Sequence, residues 1–266
     1  MPTSYLTISY VQLLLAAMLM AINLGISIAY RLQLERSLVI ASLRMVTQLL
    51  LIGFVLEWLF EQRHPWLIVG LGILMSGIAG RASVQRTKRR FTGIYWNSVL
   101  SILAAAALVT SWSVVAIVQV DPWYDPQYFI PLLGMVLGNA LNGVSLGLDR
   151  FMEDIVSQRD RIEMLLALGA TRWEAARQQV RDAVRTGMIP ITNSMMVMGL
   201  VSLPGMMTGQ ILAGASPIDA VRYQIAIVFT IASGTALGTF GVVLMAFNRL
   251  LSPSHQLRLD RLHSPT

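Results

Sequence analysis

The sequence predicts an all-α membrane protein, a polytopic bundle of about seven transmembrane helices. Three observations indicate this class. Hydrophobic residues make up 55% of the 266 residues and charged residues only 13%, against about 25% in a soluble domain. The mean hydropathy is +0.62. Apolar stretches near the length that spans a bilayer, about 20 residues, recur along the chain. We therefore expect a single transmembrane domain over residues 1–266.

Seven stretches are predicted to span, and Pro204-Gly205 past the middle of the sixth predicts a kink or a break in that helix. The first stretch lacks a preceding basic region and is long enough to cross, so we expect a retained helix and not a cleaved signal. The third is short and glycine-rich. The small-xxx-small spacing that allows close helix approach occurs in three pairs: Gly134 and Gly138, Gly143 and Gly147, and Gly234 and Gly238. The predicted spans are 8–30, 37–59, 65–80, 96–119, 128–148, 187–213 and 222–249.

The basic residues predict the orientation of the bundle. Most of the 20 Lys and Arg residues can lie on one side, including seven arginines from Arg150 to Arg185, while Arg63 and Arg222 are left for the other. Because cytoplasmic loops carry the excess of basic residues, the N-terminus is predicted outside and the C-terminus in the cytoplasm. The pI near 10.2 then reflects orientation signals and not nucleic-acid binding.

A charged segment, residues 161–185, interrupts the apolar sequence within a predicted cytoplasmic loop of about 149–186. It predicts a helix that ends at Leu168-Gly169, a short turn, and a second helix opened by Thr171 with Glu174 three residues on, the pattern of a capping box. The second helix has an apolar face and a separate basic face. This helix-turn-helix between spans five and six either meets another molecule or lies on anionic lipid. The apolar face contains Trp173, Ala176, Val180 and Val184, and the basic face contains Arg177, Arg181 and Arg185.

Uncharged polar residues and methionines inside spans five and six predict a translocation pathway. Amides within the hydrocarbon need partners from another helix or from a polar cavity, and irregular backbone at that depth usually lines a cavity. Packing by flexible methionine side chains is the alternative for any single methionine. The predicted pathway residues are Asn139, Asn142, Asn193, Ser194, Met195, Met196, Met198, Met206, Met207 and Gln210.

The residues needed for catalysis are missing from the sequence. There is no cysteine, and the one lysine, Lys88, lacks the glycines of a phosphate-binding loop. The histidines His64, His255 and His263 have no metal-ligand spacing, and no carboxylate lies near the middle of a span. We therefore expect a transporter that is not an enzyme and binds no cofactor itself, with its metal ligands unknown. A secondary transporter stays possible at this point.

Several motifs together resemble the FetB family, bacterial iron-exporter permeases related to the plant aluminium-tolerance permease. Glu163 with Gly169 six residues later is similar to the coupling loop of ABC permeases, although Met164 and Leu165 stand where that pattern has alanines. The resemblance is most specific from about residue 133 to 214. It rests on LGNALNGVSLGLDR, RIEMLLALGAT, IPITNSMM and SLPGMMTGQILAG.

The resemblance implies a half-transporter in the bacterial inner (plasma) membrane. Two copies of the permease would work with a separately encoded FetA-type ATPase that binds ATP and Mg, and would export iron or another metal ion. An organic substrate such as a nucleotide sugar is the alternative, because plant relatives are associated with one. The residues to which the resemblance assigns coupling to the ATPase are Glu163, Gly169, Ala170, Thr171, Arg172 and Glu174.

Overall fold

The structure, a computed structural model, describes residues 9–62 and 64–263. Within these residues the chain forms nine α-helices and one pair of two-residue strands, β1 Arg90–Phe91 and β2 Leu262–His263, which run antiparallel. A π-helical segment, Ser113–Val118, continues the fourth helix. The helices are α1 Tyr10–Ala29, α2 Glu35–Gln62, α3 Pro65–Gln85, α4 Ile94–Trp112, α5 Pro126–Ser157, α6 Arg159–Ala167, α7 Arg172–Val197, α8 Gly205–Leu212 and α9 Pro217–Leu250.

Six helices of the described chain are long and apolar enough to cross a membrane: α1 to α5 and α9. The predicted all-α membrane class is confirmed. The third predicted span, which is short in the sequence, is a helix of 21 residues that extends to Gln85. α1 and α2 bury almost none of their membrane-length windows, whereas α5 and α9 bury 56% of theirs. The core therefore lies among α3, α4, α5, α7 and α9.

The sixth predicted span is discontinuous. α7 runs without interruption from Arg172 to Val197, although Pro190 lies inside it, and the chain then leaves the helical conformation. Gly199 has a left-handed φ of 86°, and Pro204 is the N-cap of the short helix α8. A break was predicted at Pro204-Gly205, and the structure begins it six residues earlier, at Met198. Pro204 therefore lies where α8 begins, not where α7 ends.

The backbones of α5 and α7 meet at glycines in the centre of the bundle, against the side chain of Thr239 in α9. A Cβ atom built on Gly187 of α7 would lie 2.6 Å from the backbone oxygen of Gly143 in α5 and 2.6 Å from Cγ2 of Thr239 in α9. A Cβ on Gly147 would lie 2.6 Å from the same Thr239 methyl group. These distances leave no room for a side chain, so the close approach predicted for Gly143 and Gly147 is present. α7 packs between α5 and α9 through this contact. The approach predicted for Gly134 and Gly138 is not seen among the described residues, because a Cβ on Gly134 meets only Cε of Met75 at 3.6 Å and one on Gly138 meets nothing within 4 Å.

Gly187→Ala should destabilise the bundle. Alanine normally stabilises a helix interior by about 1 kcal/mol relative to glycine, but here its methyl group would collide with the backbone of α5. We expect a lower thermal unfolding temperature in detergent than for the unmodified chain. Gly138→Ala is the matched control, because a Cβ there meets no atom within 4 Å. Equal unfolding temperatures for the two variants would contradict the close crossing.

Candidate functional site

The predicted corner between two helices is present between α6 and α7. α6 ends at Ala167, Gly169 takes a left-handed φ of 91°, and Thr171 is the N-cap of α7. The backbone N–H of Thr171 donates to Oε2 of Glu174 at 2.8 Å, and the backbone N–H of Glu174 donates to Oγ1 of Thr171 at 3.3 Å. The capping box satisfies backbone donors that the first turn of a helix otherwise leaves unpaired.

The hydroxyl of Thr171 also donates to Oε2 of Glu174, at 2.7 Å. Together with the backbone hydrogen bond, it holds the pKa of the Glu174 carboxyl below its ordinary value. Because the folded-state pKa is lowered, the contribution of the carboxylate to the corner is complete at neutral pH. That contribution is lost as the pH falls through the lowered pKa.

The segment after α9 fastens the corner from a distant part of the sequence. The backbone N–H of Arg172 donates to Nδ1 of His255 at 2.9 Å, and its guanidinium donates to the backbone oxygen of Leu251 at 3.2 Å. The same guanidinium lies 5.4 Å from the ring centroid of Phe247. The sequence reasoning missed His255, because its partner lies 83 positions away and no local pattern connects the two. The only available signal was the general need of a helix N-terminus for acceptors.

The outer surface of the corner combines exposed apolar and charged side chains. Leu168 is 78% exposed and Met164 is 55% exposed. Glu163 is exposed and accepts from Arg159 at 2.9 Å. Of the six predicted coupling residues, Thr171, Arg172 and Glu174 thus hold the corner together. Glu163, Gly169 and Ala170 lie on its accessible side.

The predicted basic residues of α7, Arg177, Arg181 and Arg185, are exposed and adjoin the predicted apolar face. Ala176 and Val180 are buried as predicted, but Trp173 stays 42% exposed, with its ring edge-on to Phe247 at 5.5 Å. A groove of about 560 Å³ is lined by both kinds of residue, so the two predicted faces merge at the surface. Its lining comprises Trp173, Arg177, Val180, Arg181, Val184, Arg185 and Phe240.

The other end of α7 forms the wall of two adjoining cavities, which we call the inner and the outer methionine cavity. The inner cavity is about 220 Å³ and lies among α5, α7, α8 and α9; the outer one is about 510 Å³ and lies against α9. Both include Met198 and Gln224. Of the predicted pathway residues, Asn139, Ser194, Met198 and Met206 line the inner cavity, and Met195, Met198 and Met207 line the outer one.

Gln224 of α9 is a cavity residue that the sequence reasoning missed. It is 7% exposed, and its Oε1 atom has no hydrogen-bond partner among residues 9–62 and 64–263. A buried amide oxygen without a partner is unusual in a folded protein. The available signal was an uncharged polar residue in the otherwise apolar stretch YQIAIVF of the last predicted span.

Four predicted pathway residues line neither methionine cavity: Asn142, Asn193, Met196 and Gln210. Asn142 lies on another side of α5 from the inner cavity, where its Oδ1 accepts from the guanidinium of Arg86 at 2.7 Å. Asn193 and Met196 are exposed on α7. Gln210 lies on α8, and its Oε1 is buried without a partner in the described part of the chain. The structure therefore brings together six of the ten predicted pathway residues.

Comparison with known sequences gives the family of the chain. Residues 10–251 match the family described as Uncharacterised protein family (UPF0014). The chain belongs to this family. The match covers every helix described above, from α1 to α9. Together with the six membrane-length helices, membership makes the chain a multi-pass membrane protein.

Relatives within the UPF0014 family are similar to the chain over most of their lengths. The UPF0014 membrane protein slr1647 of Synechocystis is 38% identical over 85% of this chain and 87% of its own. The Protein ALUMINUM SENSITIVE 3 of Arabidopsis thaliana is 32% identical over 91% and 88%. The Probable iron export permease protein FetB of Escherichia coli is 30% identical over 94% and 95%. No solved structure matches the chain.

Thr171→Ala should loosen the first turn of α7. The variant removes the side-chain acceptor of the capping box, which typically contributes about 1 kcal/mol, or about fivefold in the local opening equilibrium. We expect faster amide hydrogen exchange for residues 171–175 by mass spectrometry at neutral pH. Thr192→Ala, at an exposed position inside α7, is the control and should leave this exchange unchanged. Unchanged exchange in Thr171→Ala itself would show that the corner does not need its cap.

Proposed function

We propose that the chain is the permease subunit of an ATP-driven exporter that carries a metal ion, iron or another, out of the cytoplasm. A separate ATPase would hydrolyse ATP, and two permease copies would form the transport path. Two relatives in the family support a metal as cargo: one is named an iron export permease and the other is named for sensitivity to aluminium. The carrying observation is that one helix, α7, joins the capped corner to the methionine cavities.

The length of α7 suits this role. Its 26 residues extend over roughly 39 Å, which carries the helix from the corner to the methionine cavities. Arg172 at its start contacts the end of α9 through Leu251. Ser194 near its end and Met198 just beyond it line the inner cavity near the beginning of α9, beside Gln224. A displacement of the corner would therefore change the position of a cavity wall.

The corner is a suitable docking point for the ATPase. In the predicted orientation it lies on the cytoplasmic side, where an ATPase can reach Leu168 and Met164. Two exposed apolar side chains next to the charged residues Asp160, Arg161 and Glu163 are typical of a contact with another protein. Backbone hydrogen bonds from Gly169 to Leu166 and from Ala170 to Leu165, together with the capping box, hold the turn between α6 and α7. A displacement of the turn by the ATPase would therefore also move α7.

ATP binding in the partner would bias the permease between two arrangements. Closure of the ATPase dimer would move both corners, and α7 would tilt about its contact with Gly143 and Thr239. The methionine cavities would then open towards the side of the membrane away from the cytoplasm. In this mechanism the two arrangements exist before ATP binds, and ATP shifts their populations.

Gly169→Val should uncouple the ATPase from transport. A β-branched residue is strained at a φ of 91°, by about 1–2 kcal/mol, so the turn would change shape. We expect the variant complex to lose most of its metal-stimulated ATP hydrolysis in reconstituted vesicles. Gly70→Val is the matched control: it adds the same side chain at an exposed helical glycine with no atom near its built Cβ, and it should keep the activity.

Co-purification of the chain with its ATPase tests the proposed class more broadly. A stable complex in which ATP drives metal export supports the proposal. Metal flux by the purified permease alone, driven by an ion gradient, would instead indicate a secondary transporter. For the preceding prediction, metal-stimulated ATP hydrolysis in Gly169→Val at the level of the unmodified complex would show that the corner does not couple the ATPase to transport. ATP-driven transport of an organic molecule without metal transport would contradict the proposed cargo.

A further inference from the structure

We propose that the inner methionine cavity is a binding site for a soft monovalent cation, Cu(I), and that it discriminates against iron ions. The proposal deepens the proposed function and rests on it for the cavity's part in transport, because it names the class of ion that the pathway would carry. Binding itself depends only on residues of α5, α7, α8 and α9 and of the segment that joins α7 to α8. It can therefore be measured without the ATPase.

The cavity is rich in soft ligands. Met135, Met198 and Met206 line it, and Met195 and Met207 line the adjoining outer cavity. Thioether sulfur is a soft, neutral ligand that selects Cu(I) over hard cations. Unbranched methionine side chains can also change conformation and close around an ion within a space of about 220 Å³. Several thioethers around one small space are therefore a suitable ligand set for Cu(I).

The charge of the lining favours a monovalent ion. No Asp, Glu or His lines either methionine cavity, and residues 9–62 and 64–263 contain no group of three or more His, Cys, Asp or Glu that could hold a metal. Desolvation of an ion becomes more costly with the square of its charge, so a di- or trivalent iron ion would need compensating anionic ligands here. Iron ions also bind oxygen and imidazole ligands more strongly than they bind thioether ligands.

Gln224 provides an observation that packing alone does not explain. Methionines can fill a space between helices without any ligand, but such packing gives no reason for a buried amide oxygen at the same place. Oε1 of Gln224 has no partner within the described residues, while its side chain lines both cavities. A cation in the inner cavity would give this oxygen an electrostatic partner. Asn139 of α5 and Ser194 of α7 also line this cavity and supply further uncharged oxygens.

The test uses the purified permease alone, in detergent and under anaerobic reducing conditions. Cu(I) affinity is measured by competition with a chromogenic Cu(I) chelator, and Fe(II) affinity by competition with a chromogenic Fe(II) chelator. Met198→Leu removes one thioether at nearly constant volume and should weaken Cu(I) binding by about tenfold or more. Met196→Leu is the matched control, because Met196 is 66% exposed and lines neither cavity.

Variants of Gln224 separate a ligand role from a packing role. Gln224→Met replaces the amide with a thioether and should hold Cu(I) at least as tightly as the unmodified chain. Gln224→Leu should weaken it. Thermal unfolding of each variant confirms that the fold is kept. Because packing is insensitive to which ion is added, a change in Cu(I) affinity without a change in unfolding temperature supports ligation.

Two results would overturn the inference. One is Fe(II) binding as tight as Cu(I) binding in the unmodified chain. The other is equal Cu(I) affinity in Met198→Leu and Met196→Leu. Neither result depends on whether the ATPase associates with the permease. Conversely, if Cu(I) binds as expected but no ATPase co-purifies, the proposed ATP coupling fails and the binding site stands.

Discussion

The close contact between the backbones of α5 and α7 at Gly143 and Gly187, closed on one side by Thr239 of α9, is the constraint on which the rest of the structure depends. A single methyl group at Gly187 would push α7 away from α5. With the contact in place, α7 passes through the core as one continuous helix and separates the corner from the cavities by a fixed length. The contact is small and central, which also makes it a natural pivot: a rotation there moves both ends of α7 in opposite directions.

Each end of α7 is built differently, in a way that matches its proposed role. The corner is held by hydrogen bonds within the chain, including one from the segment after α9 through His255. The cavity end has an irregular backbone: the helix stops at Val197, the chain passes through Gly199 in a left-handed conformation, and a short helix begins after Pro204. A rigid end suits a mechanical contact with a partner protein, while an irregular backbone suits a wall that changes shape around an ion.

Local features could be predicted from the sequence, and features that depend on long-range contacts could not. The capping box was predicted in full because Thr171 and Glu174 are three residues apart. Asn139 and Asn142 are three residues apart and therefore only about 60° apart around α5, which predicts a shared pathway. Asn139 lines the inner cavity, but Asn142 meets Arg86, a partner 56 positions away that no local pattern indicates. Gln224 was missed because nothing in its own sequence neighbourhood says which helices surround it.

The most direct test of the central claim compares the Ag(I) affinity of the permease–ATPase complex in two nucleotide states. Ag(I) is a redox-stable substitute for Cu(I), and calorimetry on the complex without nucleotide and with a non-hydrolysable ATP analogue gives both affinities. Since α7 joins the corner to the cavity, the two Ag(I) affinities should differ by about fivefold or more. By reciprocity, Ag(I) should change the affinity of the complex for the ATP analogue by the same factor. Identical Ag(I) affinities with the analogue fully bound would contradict the account.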